Sequence, residues 1–153
     1  VYESLSGTTA VPAAANPFTD TADPDVLKAF REDLAVGIAS DRFDPDALLN
    51  REQAATMLTR VVKKISFPDW TYATDDRYEL SFPEQPPFED DASISPWAKD
   101  SVYFMVANGV ITGADDDAFS PRAVTTEEEA GGLASTTREQ ALVLALRMVE
   151  NLR

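Results

Sequence analysis

Two stretches of this chain repeat one another, and this repetition is the strongest constraint on its fold. The segment NREQAATMLTRVVKKI (50–65) returns as TREQALVLALRMVENL (137–152). In both segments apolar residues recur every three or four positions, which predicts an amphipathic helix with one apolar stripe. Because a single helix cannot bury such a stripe alone, we expect tandem units that pack against each other.

The similarity continues upstream of the two predicted helices. The aligned positions are Phe18 with Phe88, Asp20 with Asp90, Pro24 with Pro96, Gly37 with Gly109, Phe43 with Phe119 and Arg51 with Arg138. In this alignment the loop that follows the first helix is shorter in the first unit and has no counterpart to Gly113. It also places Asp25 where the second unit has Trp97.

These matches predict a division of the chain into two repeats. Residues 17–65 form the first repeat and 88–153 the second, which carries an inserted loop at 122–136. Residues 1–16 are interpreted as the tail of a preceding repeat and a linker, because YESL (2–5) resembles VENL (149–152). Residues 66–87 are interpreted as a linker, either a short β-hairpin or an irregular connector whose aromatic residues cover the helices.

Each repeat is predicted as helix, loop, helix. The first helices open at Asp23-Pro24 and Ser95-Pro96, with a cap followed by proline, and close at Gly37 and Gly109. The second helices begin after Asn50 and Thr137, each followed by a glutamine in a capping-box arrangement. The predicted fold class is therefore all-α, with tandem helix-loop-helix repeats packed pseudo-symmetrically.

Composition excludes several functions. The chain has no Cys and no His, which removes thiol nucleophiles, histidine triads and most zinc or iron sites. A formal charge of -14 opposes nonspecific attraction to nucleic acid or to an anionic membrane. No apolar run is long enough to span a bilayer. The start of the chain lacks the basic-then-apolar plan of a signal peptide.

The acidic residues do not indicate catalysis or a metal site. ADDDA (114–118) could bind calcium, but it lacks the alternating spacing of an EF-hand loop, and a solvated acidic turn is the alternative. Glycosidase chemistry needs two carboxyl groups that face each other across a substrate, which adjacent acids on a loop do not supply. We therefore predict no enzyme activity, no cofactor and no metal.

The second unit resembles an S-layer homology repeat. The residues that carry the resemblance are the Phe-x-Asp motif at 88–90, Trp97-Ala98, the GVITG turn (109–113), the FSP motif at 119–121 and the TREQ helix start (137–140). The first unit resembles a more divergent copy. The resemblance implies a pseudo-symmetric helical assembly, often of three repeats, on the outside of a bacterial cell. It also implies noncovalent anchoring of an exported protein to cell-wall polysaccharide, commonly a secondary polymer that carries pyruvylated amino sugars.

The resemblance assigns candidate glycan-binding residues: Arg138, Trp97, Gly113, Asp90 and Arg51. An arginine at the start of a helix can hold a carboxylate with two parallel hydrogen bonds, and the helix N-terminus adds positive potential. Trp97 could stack on a sugar ring. Gly113 could let the backbone approach a ligand, and Asp90 could accept hydroxyl groups.

Each of these residues also has a structural interpretation. The arginines could pair with Asp20 or Asp90, Trp97 could anchor the core, and both aspartates could brace a loop. For Arg51 we favour the structural role, since its unit lacks an aligned tryptophan. The alternative function is a degenerate module that packs repeats or mediates assembly without binding glycan. Neither interpretation identifies the glycan, the cargo or the oligomeric state.

Overall fold

The computed structural model describes residues 1–47, 49–113, 117–122 and 138–152, with side chains from residue 144 onward in the last range. The chain divides into two compact units. The N-terminal unit consists of residues 2–47 and 60–78, and the C-terminal unit consists of residues 48–59 and 79–153 together with residue 1. The predicted repeat boundaries and the pseudo-symmetric packing remain predictions.

The described part of the chain is helical. The α-helices are α1 (Tyr2–Ser6), α2 (Pro24–Arg31), α3 (Arg51–Ser66), α4 (Lys99–Ala107) and α5 (Arg138–Asn151). Two 3-10 helices lie at Tyr72–Arg77 and Asp91–Ser93. The β-pairing seen among the described residues is an isolated bridge between Ala39 and Arg42. None of the helices described has the length and apolarity required to cross a bilayer.

The β-hairpin proposed for the linker is wrong. Residues 72–77 form a 3-10 helix instead, and no strand forms between residues 66 and 87. Asp75 holds this turn, because its carboxylate accepts hydrogen bonds from Lys63 Nζ at 2.7 Å and from Trp70 Nε1 at 2.9 Å. Trp70 is 1% exposed, so this linker residue is part of the core. The alternative, a connector whose aromatic residues cover the helices, describes the segment better.

The first helix of the N-terminal unit begins as predicted but ends earlier. Asp23 caps α2 by accepting from the Asp25 amide, with Pro24 at the first helical position. The helix ends at Arg31, and Asp33 supplies the left-handed residue with a φ of 63°. Gly37 therefore does not stop the helix, since the chain has already turned.

Gly109 does terminate α4, with a φ of 65°. The Gly109 amide donates to the Val106 carbonyl, as the Asp33 amide donates to the Phe30 carbonyl. These matching bonds place Asp33, not Gly37, at the position that Gly109 occupies. In the corrected alignment Gly37 corresponds to Gly113, and each glycine precedes its phenylalanine, Phe43 or Phe119, by the same spacing.

The start of α4 also differs from the prediction. The helix begins at Lys99, after a turn in which the Ala98 amide donates to the Ser95 carbonyl. Ser95 does not cap the helix, because its hydroxyl and its amide both donate to the carboxylate of Glu52. A partner distant in sequence has replaced the local cap.

Asp20 and Asp90 brace equivalent loops, as the structural interpretation predicted. Asp20 accepts from the amides of Phe43 and Asp44 at 2.9 and 2.8 Å. Asp90 accepts from the amides of Phe119 and Ser120 at 2.8 and 2.7 Å. A phenylalanine two positions before each aspartate packs on the same loop. The ring centroids of Phe18 and Phe43 lie 5.3 Å apart, and those of Phe88 and Phe119 lie 5.5 Å apart.

The brace formed by Asp20 makes stability depend on pH. Hydrogen bonds from the Phe43 and Asp44 amides lower the pKa of Asp20 below its usual 3.8. A lowered pKa stabilises the fold above the unfolded pKa, and this contribution is lost as the pH falls through the folded pKa. We expect Asp20→Asn to lower the melting temperature near pH 6, with the difference shrinking below pH 3.8. Thermal melts of both proteins across this range test it, and a difference independent of pH would contradict it.

The apolar stripe of α3 is only partly buried. Ala54 and Val61 are buried as predicted, but Ile65 is 38% exposed. The buried positions also include three polar residues, Glu52, Thr56 and Thr59. Thr56 and Thr59 donate to carbonyls four residues earlier in the helix, so these hydroxyls are satisfied locally. The hydrogen-bond partner of the Glu52 carboxylate is Ser95, which is distant in sequence.

Candidate functional site

The start of α3 belongs to the C-terminal unit, and most of its amides have hydrogen-bond acceptors. The Asn50 side chain accepts from the Gln53 amide at 2.9 Å, and the Gln53 side chain accepts from the Asn50 amide at 3.0 Å. The predicted capping box is confirmed. The Glu52 amide donates to the Pro121 carbonyl at 3.1 Å. These bonds occupy N–H groups that the helix start was expected to offer to an anion.

Arg51 lies at the first position of α3 and holds the loop that precedes Phe119. Its Nε donates to the Phe119 carbonyl at 2.9 Å, and its Nη2 donates to the Thr112 carbonyl at 2.5 Å. The guanidinium lies over the Phe119 ring, 5.0 Å from the centroid. Burial lowers the pKa of Arg51, while the charge of Asp90 offsets part of that effect. Arginine nevertheless stays protonated.

The contacts of Arg51 favour the structural role expected for it, but with different partners. The sequence interpretation paired the arginine with an acid, whereas two carbonyl oxygens accept its hydrogen bonds. The ion-pair partner of Asp20 is Arg42, with Nε and carboxylate oxygen 3.7 Å apart. Two of the five N–H groups of Arg51 are thus used to fix the loop around Thr112.

Glu52 forms a buried polar cluster beside Arg51. Its side chain is 2% exposed and accepts from the Ser95 amide at 2.8 Å and from the Ser95 hydroxyl at 2.9 Å. Arg122 approaches the same carboxylate at 3.7 Å and donates to the Ser95 hydroxyl at 3.3 Å. Because the Arg122 side chain is 55% exposed, the cluster presents one cationic group to solvent.

Trp97 follows Ser95 of this cluster by two positions in the sequence and is not a core anchor. Its side chain is 59% exposed, unlike Trp70, which is buried. Trp97 follows Ser95 by two positions, so their Cα atoms lie within about 7 Å. The backbone of Trp97 therefore lies near Ser95, whose hydroxyl accepts a hydrogen bond from Arg122.

The other predicted site residues are only partly brought together. Asp90 is close enough to Arg51 to affect its pKa, although its carboxylate is occupied by the loop amides. Gly113 directly follows Thr112, whose carbonyl accepts from Arg51. The Arg138 side chain lies outside the described residues. The sequence interpretation grouped Gly113 with Arg138, but the described contacts place it beside Arg51.

A pocket of about 310 Å³ lies on the same unit, along α4. Its walls combine apolar residues with carboxylates and an amide: Phe82, Glu84, Gln85, Pro87, Asp91, Lys99, Asp100 and Tyr103. Lys99 donates to Asp91 at 2.6 Å, and Tyr103 donates to it at 2.7 Å. The Lys99 and Tyr103 hydrogen bonds lower the pKa of Asp91, so it stays ionised at neutral pH. Lys99, which lines the pocket, follows Trp97 by two positions in the sequence.

Sequence reasoning missed Arg122, Ser95 and Glu52. Arg122 opens the inserted loop at 122–136, and no motif in the sequence marks it as a site residue. One signal for Glu52 was available, because both helix starts read Arg-Glu-Gln and the glutamate occurs in each. The helix pattern accounted for the glutamine as a cap and left the glutamate unexplained.

Comparison with known proteins finds a family match for one segment of the C-terminal unit. Residues 87–130 match the family model of the S-layer homology domain. This segment contains Trp97, Arg122, Ser95, Asp90 and Gly113. The resemblance recognised in the sequence is thus confirmed for this segment, which matches an S-layer homology domain.

A curated relative covers more of the chain. An endoglucanase of Bacillus sp. (strain KSM-635) is 28% identical over 124 residues, which is 78% of this chain. The match spans only 12% of that relative. No solved structure matches the chain.

The family gives the general class of function. S-layer homology domains are non-catalytic modules that anchor proteins to the cell wall. Their partners are in general cell-wall polysaccharides, and they point to the cell surface or the extracellular space.

Proposed function

We propose that this chain anchors an exported protein to bacterial cell-wall polysaccharide by noncovalent binding, with the C-terminal unit as the glycan-binding part. The observation that supports this most directly is that the segment matching the anchoring family exposes both Trp97 and the side chain of Arg122, and that Arg122 contacts Ser95, two positions before Trp97. Tryptophan and arginine are the residue types that most often dominate the binding energy of an interface.

The chemistry of the two residues indicates the ligand. Trp97 offers an apolar face on which a sugar ring can stack. Arg122 offers a guanidinium fork for a carboxylate, and Glu52 and Ser95 hold it in place. We infer that the glycan carries a carboxylate near a sugar ring, as a pyruvylated amino sugar does. Because the whole chain has a formal charge of -14, only a locally placed cation such as Arg122 can attract an anionic glycan.

The pocket along α4 extends this surface. Carboxylates and amides accept hydrogen bonds from sugar hydroxyls, and Phe82 and Tyr103 supply apolar contacts. A second sugar residue of the same chain would contact this pocket if the first stacks on Trp97. Arg51 stabilises the loop through its hydrogen bonds to the Thr112 and Phe119 carbonyls, so it does not need to contact the glycan.

Binding to purified cell-wall sacculi tests the proposal. We expect the chain to sediment with intact sacculi and to stay in the supernatant when the secondary polymer has been removed. Trp97→Ala and Arg122→Ala should each weaken binding by roughly 10-fold or more, because aromatic and arginine contacts dominate many interfaces. Tyr72→Ala and Arg31→Ala, at exposed residues of the N-terminal unit, are the matched controls.

A separate titration tests whether the chain recognises the carboxylate of the glycan. Titration with a pyruvylated amino sugar should saturate, and the same sugar without pyruvate should bind more weakly. Equal recovery of the chain with and without the polymer would contradict anchoring. Equal affinity for both sugars would contradict the role of Arg122 while leaving glycan binding by Trp97 intact.

A structural role is the second candidate for the Arg-Glu helix start. The hydrogen bonds of Arg51 go to loop carbonyls, and Glu52 is buried, so this helix start packs on a loop and leaves little of itself to a ligand. This favours assembly as the function of the repeated helix start, beside glycan binding at Trp97.

A further inference from the structure

The pocket along α4 differs in charge from the surface that Arg122 exposes. Its lining contains three carboxylates and one amine, those of Glu84, Asp91, Asp100 and Lys99. Three negative charges against one positive charge give the lining a formal charge of -2. Arg122 is not one of the residues that line the pocket. A carboxylate on a ligand would therefore be repelled in this pocket, although Arg122 can attract one.

The positive charge of the lining is already used by an internal ion pair. Lys99 Nζ donates to Asp91 at 2.6 Å, and the Tyr103 hydroxyl donates to the same carboxylate at 2.7 Å. The Tyr103 hydroxyl also accepts from the Phe88 amide at 3.3 Å, and the two rings stack with their centroids 5.8 Å apart. Burial and the hydrogen bond to Asp91 raise the pKa of Tyr103, so its hydroxyl keeps its proton. This part of the wall is thus neutral in sum and held in position before a ligand binds.

The other two acids of the lining have no counter-ion. Glu84 and Asp100 are exposed residues, and neither carboxylate forms a hydrogen bond or an ion pair within the part of the chain that the structure describes. They reach the pocket from different segments, Glu84 from the stretch before the Phe-x-Asp motif and Asp100 from the first turn of α4. Two unpaired carboxylates that line one pocket favour a ligand with a positive charge.

The remaining lining fits an organic ring better than a bare ion. Phe82, Pro87 and Tyr103 supply apolar surface, and the Phe82 ring packs edge-on against Phe104 with the centroids 6.0 Å apart. The volume of about 310 Å³ lies at the lower end of the range for small-ligand pockets, which suits a single ring. The described residues also contain no group of acids arranged to hold a metal ion. The lining thus favours an organic cation.

We propose that the pocket along α4 binds a sugar residue with a free amino group, whose ammonium is held by the Glu84 and Asp100 carboxylates and whose ring packs on Phe82 and Tyr103. This inference rests on the proposed function, because it takes the ligand to be a cell-wall glycan. An ammonium group has three donors and can bond to both carboxylates, whereas an N-acetyl group has no charge. A polymer that satisfies this pocket and Arg122 together carries an amine on one sugar and a carboxylate on another.

Titration of the full chain with glucosamine and with N-acetylglucosamine tests the charge requirement. In nuclear magnetic resonance spectra, glucosamine should shift the amide signals within residues 82–85 and 99–103 until they saturate. N-acetylglucosamine should bind roughly fivefold more weakly or worse. Added salt should weaken glucosamine binding, and so should a rise in pH that removes the proton of the sugar amine. Equal affinity for the two sugars, or shift changes confined to other segments, would overturn the proposal.

Neutral substitutions test the two carboxylates. Glu84→Gln and Asp100→Asn preserve side-chain size and should each weaken glucosamine binding by roughly threefold to fivefold. Glu150→Gln, at an exposed acid of the same unit that does not line the pocket, is the matched control and should change nothing. Circular dichroism establishes that each variant is folded. If both pocket variants bind glucosamine as tightly as the wild type, these carboxylates do not hold the amine.

Sacculi separate this inference from the proposed function. Sacculi whose free amines have been N-acetylated should retain the wild-type chain less well than untreated sacculi, and Glu84→Gln should lose less by the same treatment. Undiminished sedimentation with N-acetylated sacculi would overturn the amine requirement while leaving anchoring intact. Arg122→Ala should bind sacculi weakly but still bind glucosamine, because Arg122 does not line the pocket. A wild-type chain that binds glucosamine in the pocket but neither kind of sacculi would contradict anchoring and support the ligand chemistry of the pocket.

Discussion

Replacing Glu52 by alanine is expected to destabilise the C-terminal unit by about 3 kcal/mol, because it leaves two buried donors without an acceptor. The carboxylate is 2% exposed and accepts from both the amide and the hydroxyl of Ser95. Water cannot replace it without opening the unit. Urea unfolding, followed by far-ultraviolet circular dichroism, measures the change in midpoint.

Three variants separate the contributions to this effect. Glu52→Gln keeps one acceptor and should lose about half as much stability. Arg122→Ala removes only a half-exposed ion pair and should cost about 1 kcal/mol or less. Gln53→Ala, at the neighbouring exposed position, loses its part of the capping box, about 1 kcal/mol. If Glu52→Ala were no worse than Arg122→Ala, the buried Ser95 bonds would not be the source of stability.

Replacing Gly37 by alanine is expected to have a similar effect in the N-terminal unit, also about 3 kcal/mol. An added Cβ would press on the Arg42 carbonyl oxygen and would lie 2.7 Å from the Ala39 carbonyl oxygen. It would also lie 2.8 Å from Phe18 Cε1, in a ring that is 6% exposed. Two of these neighbours are backbone atoms of one tight turn, so they cannot move aside cheaply.

Gly7 provides the matched control. It has a φ of 68°, but an added Cβ would meet nothing within 4 Å. Gly7→Ala therefore tests backbone strain alone, which costs about 1 kcal/mol. The fluorescence of the buried Trp70 reports the N-terminal unit. Equal losses for the two glycines would show that crowding at Gly37 is relieved by local movement.

The comparison of Gly37 with Gly113 shows where reading the sequence went wrong. Residue identity pairs Gly37 with Gly109, because glycine is the usual residue at the end of a helix. Hydrogen bonding shows that Asp33 performs that function in the first loop. A non-glycine residue in a left-handed conformation leaves no clear signal in sequence, although aspartate tolerates it better than most residues. The corrected alignment restores a glycine to the first loop.

The structural interpretation of the aspartates and the capping box were both correct. Asn50 and Gln53 are three positions apart, and their partnership follows from local helix geometry alone. Asp20 and Asp90 each follow a phenylalanine and precede a Phe-x-Pro turn, so the brace repeats with its motif. The exposure of Trp97 could not be predicted, because a tryptophan before a helix is equally compatible with a core position.

The sequence by itself determined the helical class, the repeated helix start, the cap at Asn50, the aspartate braces and the resemblance to S-layer homology repeats. Each depends on residues near one another in the chain or on motifs repeated in order. Tertiary structure alone decided that Glu52 is buried against Ser95, that Arg51 binds the carbonyls of Thr112 and Phe119, that Trp97 is exposed and that Arg122 approaches Glu52. These contacts join residues far apart in sequence, and burial depends on which surfaces meet, so no local pattern specifies them.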